Sequence, residues 1–339
     1  MRKLLKFIVF ASFFSANFIS IDLGFFQLSP FRIAVLLSLY LFCLIRLIPK
    51  KDFINIIPRG KNKFSVGVML FWFVYAIISV TWVKDLEGWL RDIYFLALGL
   101  FSIVFFSHYF KRIKDILECI KIMEFMIIIH NAIGWYEIIT RDYRFLSSQN
   151  LVYYVNANSR IPISMMGNPN NYALLMLFGV FISYIFFACS KTWVERFMAI
   201  FVMISSTVLI FLTESRANIL GLIMAIVLFV YLSLIDRKER KLIFLLCVVP
   251  FVSILFSLDL FNSIMSQFSE FIQFNFSQQG SSDSVRINLI RNGLLFLITT
   301  FGFGTGAGNI EYWMANRGVY YVASITNMHN WWAEILIGY

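Results

Sequence analysis

Three arginines and one histidine have residue types and settings suited to chemistry. Arg216 lies in Leu212-Thr-Glu-Ser-Arg-Ala-Asn-Ile-Leu-Gly221, between two apolar runs with hardly any loop. That position is expected to start a helix, whose unpaired N–H groups and partial positive charge attract anions. A pair with Glu214 is the other reading. Arg286 opens an amphipathic stretch after the polar run Gln278-Gln-Gly-Ser-Ser-Asp-Ser284, where a solvated helix start is equally natural. Arg160 precedes Ile161-Pro-Ile-Ser-Met-Met-Gly-Asn-Pro-Asn-Asn171, which breaks helix at Pro162 and Pro169 and offers Asn170 or Asn171 as a cap. Guanidinium is a planar fork of donors that matches phosphate oxygens. His329 stands in Thr326-Asn-Met-His-Asn-Trp-Trp-Ala-Glu334, and its side chain suits proton transfer near neutral pH.

Other motifs carry less. His130, in Ile127-Ile-Ile-His-Asn131, is expected to be a satisfied packing residue. The run Phe301-Gly-Phe-Gly-Thr-Gly-Ala-Gly-Asn309 lacks the Lys-Ser/Thr of a P-loop and the βαβ setting of a dinucleotide site. Its backbone is free to approach another chain or a ligand closely, or to form a flexible turn. There is no Asp-x-Asp, and Asp85-Leu-Glu87 is a weak pair for a metal. No metal and no cofactor are expected. Cys43, Cys119, Cys189 and Cys247 lie in or beside apolar stretches without metal-like spacing, and are expected to be packing residues.

The elements that position these residues follow from composition. Of 339 residues, 60% are hydrophobic and 14% charged, against about 45–50% and about 25% in a soluble domain. A soluble enzyme, a nucleic-acid binder and a disordered scaffold fit poorly. Apolar runs lie near 7–21, 31–48, 64–82, 93–110, 119–139, 171–189, 197–213, 217–235 and 242–258, and a tenth starts at Trp331. An all-α, polytopic transmembrane bundle of about nine to ten spans is expected. Residues 1–258 form the bundle, with an outer loop at 140–170. Residues 259–328 form a large outer loop with an amphipathic helix over 284–298. Residues 329–339 are expected to begin a further, truncated span.

Lys and Arg cluster at every second connection, which places the N-terminus in the cytoplasm. On this map the inner side is net +12 and the outer side net −2, so the overall +10 is a topology signal. The first run also has the pattern of a signal peptide, and either reading leaves the rest of the map unchanged. The outer basic residues are nine arginines and one lysine, whereas the inner side has 12 lysines and seven arginines. That bias fits a phosphate-bearing ligand or pairing with the outer carboxylates.

Met166-Gly-Asn-Pro-Asn-Asn-Tyr-Ala173, Leu212-Thr-Glu-Ser-Arg-Ala-Asn-Ile-Leu-Gly221, Ser284-Val-Arg286, Gly302-Phe-Gly-Thr-Gly-Ala-Gly-Asn309 and Met328-His-Asn-Trp-Trp-Ala-Glu334 follow one another as a set. In order and spacing over 160–339 they resemble the O-antigen ligase/polymerase family. The first helices match it in apolar character alone.

The resemblance implies a GT-C-like membrane glycosyltransferase, inverting and metal-independent, in the bacterial cytoplasmic membrane with its site outside. It implies a glycan on undecaprenyl diphosphate as donor and a sugar as acceptor, with other polysaccharide-assembly proteins as possible partners. At the matching motifs it implies His329 as the catalytic residue. Arg216, Arg286, Arg160 and Asn168 would be the residues that bind diphosphate or glycan. A polymerase of lipid-linked repeat units is the leading expectation. A ligase to lipid A core or another terminal acceptor comes next, and a flippase is the alternative of another class. Trp313, Tyr320, Tyr321, Trp331 and Trp332 are candidates for sugar stacking or for an interfacial belt.

Overall fold

The computed structural model describes residues 2–16, 18–22, 27–47, 63–110, 112–145, 160–234, 282–323, 325–328 and 330–339. It is mostly helical. Two compact units divide the chain, Met1–Ile56 with Ser102–Ser233, and Ile57–Phe101 with Leu234–Tyr339.

The first unit contains α1 (Arg2–Ala11), a two-stranded antiparallel ribbon of β1 (Ile21–Asp22) and β2 (Gln27–Leu28), and α2 (Pro30–Leu47). It continues with α5 (Ile113–Thr140), α6 (Pro169–Cys189), α7 (Trp193–Leu212) and α8 (Arg216–Leu234). α6 lies along α7, and α5 packs on both. Thr192 starts α7 with a capping box: its hydroxyl accepts from the Glu195 N–H, and the Glu195 carboxylate accepts from the Thr192 N–H. Tyr172, Met176, Leu209, Ile210 and Leu222 form one core cluster. Polar pins cross it: the Asn131 amide donates to Ser206 Oγ at 3.0 Å, and the Trp135 indole to Ser205 Oγ at 2.7 Å. A buried polar group keeps its cost low only by finding such partners.

The second unit contains α3 (Lys63–Ile78), the start of α4 (Leu86–Tyr109), α9 (Ser282–Thr299), α10 (Ile310–Arg317) and α11 (Trp331–Gly338). Val285, Leu289 and Phe296 share one face of α9 and pack on Trp313 and Met314 of α10 and Ile337 of α11. The amphipathic stretch expected at 284–298 is therefore a helix packed against its own chain.

Among the described residues four segments are long and apolar enough to cross a membrane: Phe64–Thr81, Leu86–Tyr109, Pro169–Cys189 and Trp193–Leu212. Pro30–Leu44 and Arg216–Val227 are shorter apolar helices. The first expected run is not one helix. α1 stops at Ala11, where the Ser12 hydroxyl donates to the Val9 carbonyl and the chain turns. α5 is long, but Glu124, His130 and Glu137 are buried within it. The run expected at 242–258, most of the loop at 140–170 and the first part of 259–328 lie outside the described residues. Cys43, Cys119 and Cys189 are free thiols.

The glycine run is a docking surface for backbone, not a flexible turn. Gly302, Gly304, Gly306 and Gly308 all have positive φ, from +65° to +89°. A Cβ on Gly308 would strike the Gly88 backbone, and one on Gly304 would sit 2.6 Å from the Ile337 carbonyl oxygen. Gly302 faces open space. Gly308→Ala is expected to cost about 3 kcal/mol or more, from strain plus displaced backbone. Gly302→Ala carries only the strain. Thermal unfolding of the detergent-solubilised protein checks this, and equal melting temperatures for the two variants would refute it.

Candidate functional site

The first unit builds a rigid turn at the start of α6. Glu137, fully buried on α5, accepts the Ile163 and Ser164 backbone N–H groups on one carboxylate oxygen, both at 2.8 Å. Ser164 sits at φ 52°, a left-handed conformation. Its hydroxyl lies 2.9 Å from His130 Nδ1, while His130 Nε2 is 3.1 Å from the Phe13 carbonyl. A carbonyl can only accept, so Nε2 carries the proton and Nδ1 accepts from Ser164. His130 is thus the satisfied packing residue expected. The Tyr143 hydroxyl donates to the Ile161 carbonyl at 3.0 Å. Glu137→Ala strands two buried N–H groups and leaves a void, at a cost of about 3–5 kcal/mol. Glu137→Gln keeps an acceptor and is expected to lose less than half of that. Denaturant unfolding of the two variants measures the difference.

The same turn reaches the Arg216 motif. Asn168, not Asn170 or Asn171, caps α6: its side chain accepts from the Asn170 N–H at 2.7 Å, and Pro169 takes the first helical position. Proline suits that position because its missing N–H would be unpaired anyway. Asn170 is used differently. Its Oδ1 accepts from the Ser215 hydroxyl at 2.7 Å, and its carbonyl accepts from Asn218 Nδ2 at 3.1 Å. Asn218 also donates to Ser215 Oγ at 2.8 Å. Glu214 takes φ 57°, which turns the chain sharply out of α7 and into α8. The starts of α6 and α8 are therefore tied together, and both present N-terminal partial positive charge.

Arg216 is the first residue of α8 and is exposed, as are Arg160 and Asn168. Among the described residues Arg216 makes no ion pair, with Glu214 or any other carboxylate. The same holds for Arg160 and Arg286. Four other arginines of the expected outer face are engaged. Arg91 meets Glu311 at 3.7 Å and Arg144 meets Asp142 at 2.5 Å. Arg317 lies over the Trp313 ring at 4.2 Å, and Arg291 over Tyr320 at 5.6 Å. Arg144 and the Tyr136 hydroxyl hold the Asp142 carboxyl below its ordinary range.

In the second unit, Arg286 lies exposed in the first turns of α9. Asn292, fully buried, pins the same helix to the following loop. Its amide donates to the Tyr320 carbonyl at 2.9 Å and its oxygen accepts from Val319 and Tyr320 N–H at 3.0 and 2.9 Å. Asn309 ends the glycine run in the same way, accepting from the Lys84 and Asp85 N–H groups at 2.9 and 2.8 Å. Asp85 accepts from the Glu87 and Gly88 N–H groups, so it caps α4. Trp313 is core, while Trp331 and Trp332 remain exposed. A cavity of about 400 Å³ opens in this unit, lined by Arg91, Asp92, Glu311, Asn327, Trp331 and Glu334 among others. His329 lies outside the described residues.

Glu137, Asn292 and Asn309 were not singled out from the sequence. For Glu137 and Asn292 the sequence shows a polar residue beside or inside an apolar stretch, which burial obliges to find partners, though not which ones.

Residues 199–339 match the family model described as O-antigen ligase. The chain is 26% identical over 339 residues to the teichuronic acid biosynthesis protein TuaE of Bacillus subtilis (strain 168), covering 98% of this chain and 68% of that protein. No solved structure matches. The resemblance read from the five motifs is borne out. The apolar helices and the family match point to a multi-pass membrane protein.

Proposed function

We propose that this multi-pass membrane protein, whose residues 199–339 match the O-antigen ligase family, polymerises glycan repeat units carried on undecaprenyl diphosphate. The reaction takes place at the outer face of the bacterial cytoplasmic membrane. An acceptor sugar hydroxyl attacks the anomeric carbon of the donor glycan. The new C–O bond forms as the bond to the diphosphate oxygen breaks, with inversion. His329 takes the hydroxyl proton. Undecaprenyl diphosphate leaves, and Arg216, Arg286 and Arg160 neutralise the charge that grows on it. Asn168 keeps the turn beside Arg216 in shape.

One observation carries this reading. Arg216 is exposed at a helix start fixed by Asn170, Ser215 and Asn218, and it has no carboxylate partner among the described residues. A guanidinium held open beside two helix N-termini suits an incoming anion. The matched family segment contains Arg216, Arg286 and His329, which supports their shared assignment.

Ligation is the second reading, favoured by the description of the matched family. The similarity to a teichuronic acid biosynthesis protein supports a part in polysaccharide synthesis under either reading. Supplying lipid-linked repeat unit alone, and then with a terminal acceptor such as lipid A core, separates the two. A polymerase extends the repeat unit without the added acceptor. A product formed only when that acceptor is present would replace polymerisation with ligation.

A further inference from the structure

The cavity in the second unit has a wall chemistry unlike that around Arg216. Its ionisable lining is one cation, Arg91, and three carboxylates, Asp92, Glu311 and Glu334. Arg91 already meets Glu311 at 3.7 Å. The formal charge of the lining is therefore net negative, which repels a phosphate or a sugar carboxylate. Carboxylates are acceptors only, each with more lone-pair sites than a single partner fills, and they suit a ligand that brings several O–H or N–H donors. Asp92 takes one such donor from the Tyr339 hydroxyl. The remaining wall is mostly apolar, with Trp72, Phe95, Trp331 and Tyr339 as its aromatics. Trp331 is 58% exposed and offers a flat apolar face. Trp72 lines the same cavity, and its buried indole N–H has no hydrogen-bond partner among the described residues. At about 400 Å³ the space is at the small end of ligand pockets. That suits a terminal sugar better than a length of polymer.

We infer that this cavity, lined by Asp92, Glu311, Glu334, Trp72 and Trp331, binds a neutral, hydroxyl-rich sugar ring and selects the acceptor unit against uronates. The role as acceptor subsite rests on the glycosyltransferase reading above. Binding of a neutral sugar does not. The ring's hydroxyls donate to the carboxylates while its C–H face lies on Trp331. A uronate fails because its charge meets a lining of three carboxylates and one cation, Arg91, which Glu311 already holds.

The test uses the whole protein in nanodiscs and two probes, the methyl glycoside of an N-acetylhexosamine and a methyl glucuronide. Saturation-transfer NMR titrations should show the neutral glycoside binding at least tenfold more tightly. Trp331→Ala should weaken the neutral glycoside about tenfold. Glu311→Gln, which removes a carboxylate and releases Arg91, should shrink the preference by raising affinity for the glucuronide. Both residues are half exposed or more, so the fold should tolerate the changes, and melting temperature verifies it. In the transfer assay Trp331→Ala should raise the acceptor KM about tenfold and leave kcat within about twofold. Equal affinity for both glycosides, or a preference that neither substitution moves, would overturn the inference. The two readings fail separately. Selective binding without any transfer upholds the cavity and removes the glycosyltransferase. Transfer with an unchanged acceptor KM and no neutral-sugar binding does the reverse.

Discussion

His329→Ala is expected to lose glycan transfer by about 10²–10⁴-fold, the usual contribution of a positioned acid–base group, while the protein inserts and folds normally. The hydroxyl of a sugar is a weak nucleophile, and its proton must go somewhere as the new bond forms. His329 is the histidine whose surroundings in sequence are polar and aromatic rather than apolar. Of the other two, His130 has both ring nitrogens committed inside the first unit, and His108 packs edge-on against Tyr109 and Phe42. His329 precedes α11, whose own start is secured by Asn330 accepting from the Ala333 N–H at 3.2 Å. The helix therefore does not depend on the histidine for its cap. Single-turnover transfer from a radiolabelled lipid-linked donor measures the loss. Wild-type rates in the mutant would remove His329 from the mechanism.

Arg216→Lys is expected to cost about 10²–10³-fold in transfer, comparable to removing one donor from a preorganised oxyanion site. Charge is conserved in this substitution, so the loss isolates geometry: a lysine is a point charge, whereas a guanidinium presents parallel N–H donors to two phosphate oxygens. The effect should fall mainly on donor use, because the charge that Arg216 meets grows on the leaving diphosphate. Arg160→Lys should cost less, since Arg160 lies outside the Asn170–Ser215–Asn218 network that fixes the Arg216 turn. Titration with undecaprenyl diphosphate, alongside the transfer rate, checks both. Unchanged product affinity and rate in Arg216→Lys would detach the diphosphate from this position.

Part of this architecture was legible because apolar length reports on membrane helices directly: four of the expected runs are helices long and apolar enough to cross a membrane. The starts of α6 and α8 fall within a few residues of where Pro169 and the Thr213-Glu-Ser-Arg216 break put them. Cap assignment failed by two residues at Asn168. Asn168, Asn170 and Asn171 each have the right side chain, and only the position of Pro169 distinguishes them. The first apolar run differs for another reason: hydropathy counts Ser12 and Ser15 as small interruptions, but the Ser12 hydroxyl bonds the Val9 carbonyl and the Ser15 carbonyl accepts the Phe18 and Ile19 N–H groups in a turn. The roles of Glu137, Asn292 and Asn309 depend on loops distant in sequence, so no local pattern encodes them. The glycine run was ambiguous between a turn and a docking surface. Its function as a surface is fixed by Gly88 and Ile337, residues that nothing in the run itself points to.

The most direct test of the account counts bonds. Purified protein in nanodiscs is given undecaprenyl-diphosphate-linked repeat unit as the sole substrate, and glycosidic linkages and released undecaprenyl diphosphate are quantified together. A ladder of lipid-linked products is expected, with one undecaprenyl diphosphate released per new linkage, both lost in Arg216→Ala. Lipid-linked sugar moved intact across the bilayer, with no diphosphate released, would contradict it and identify a transporter instead.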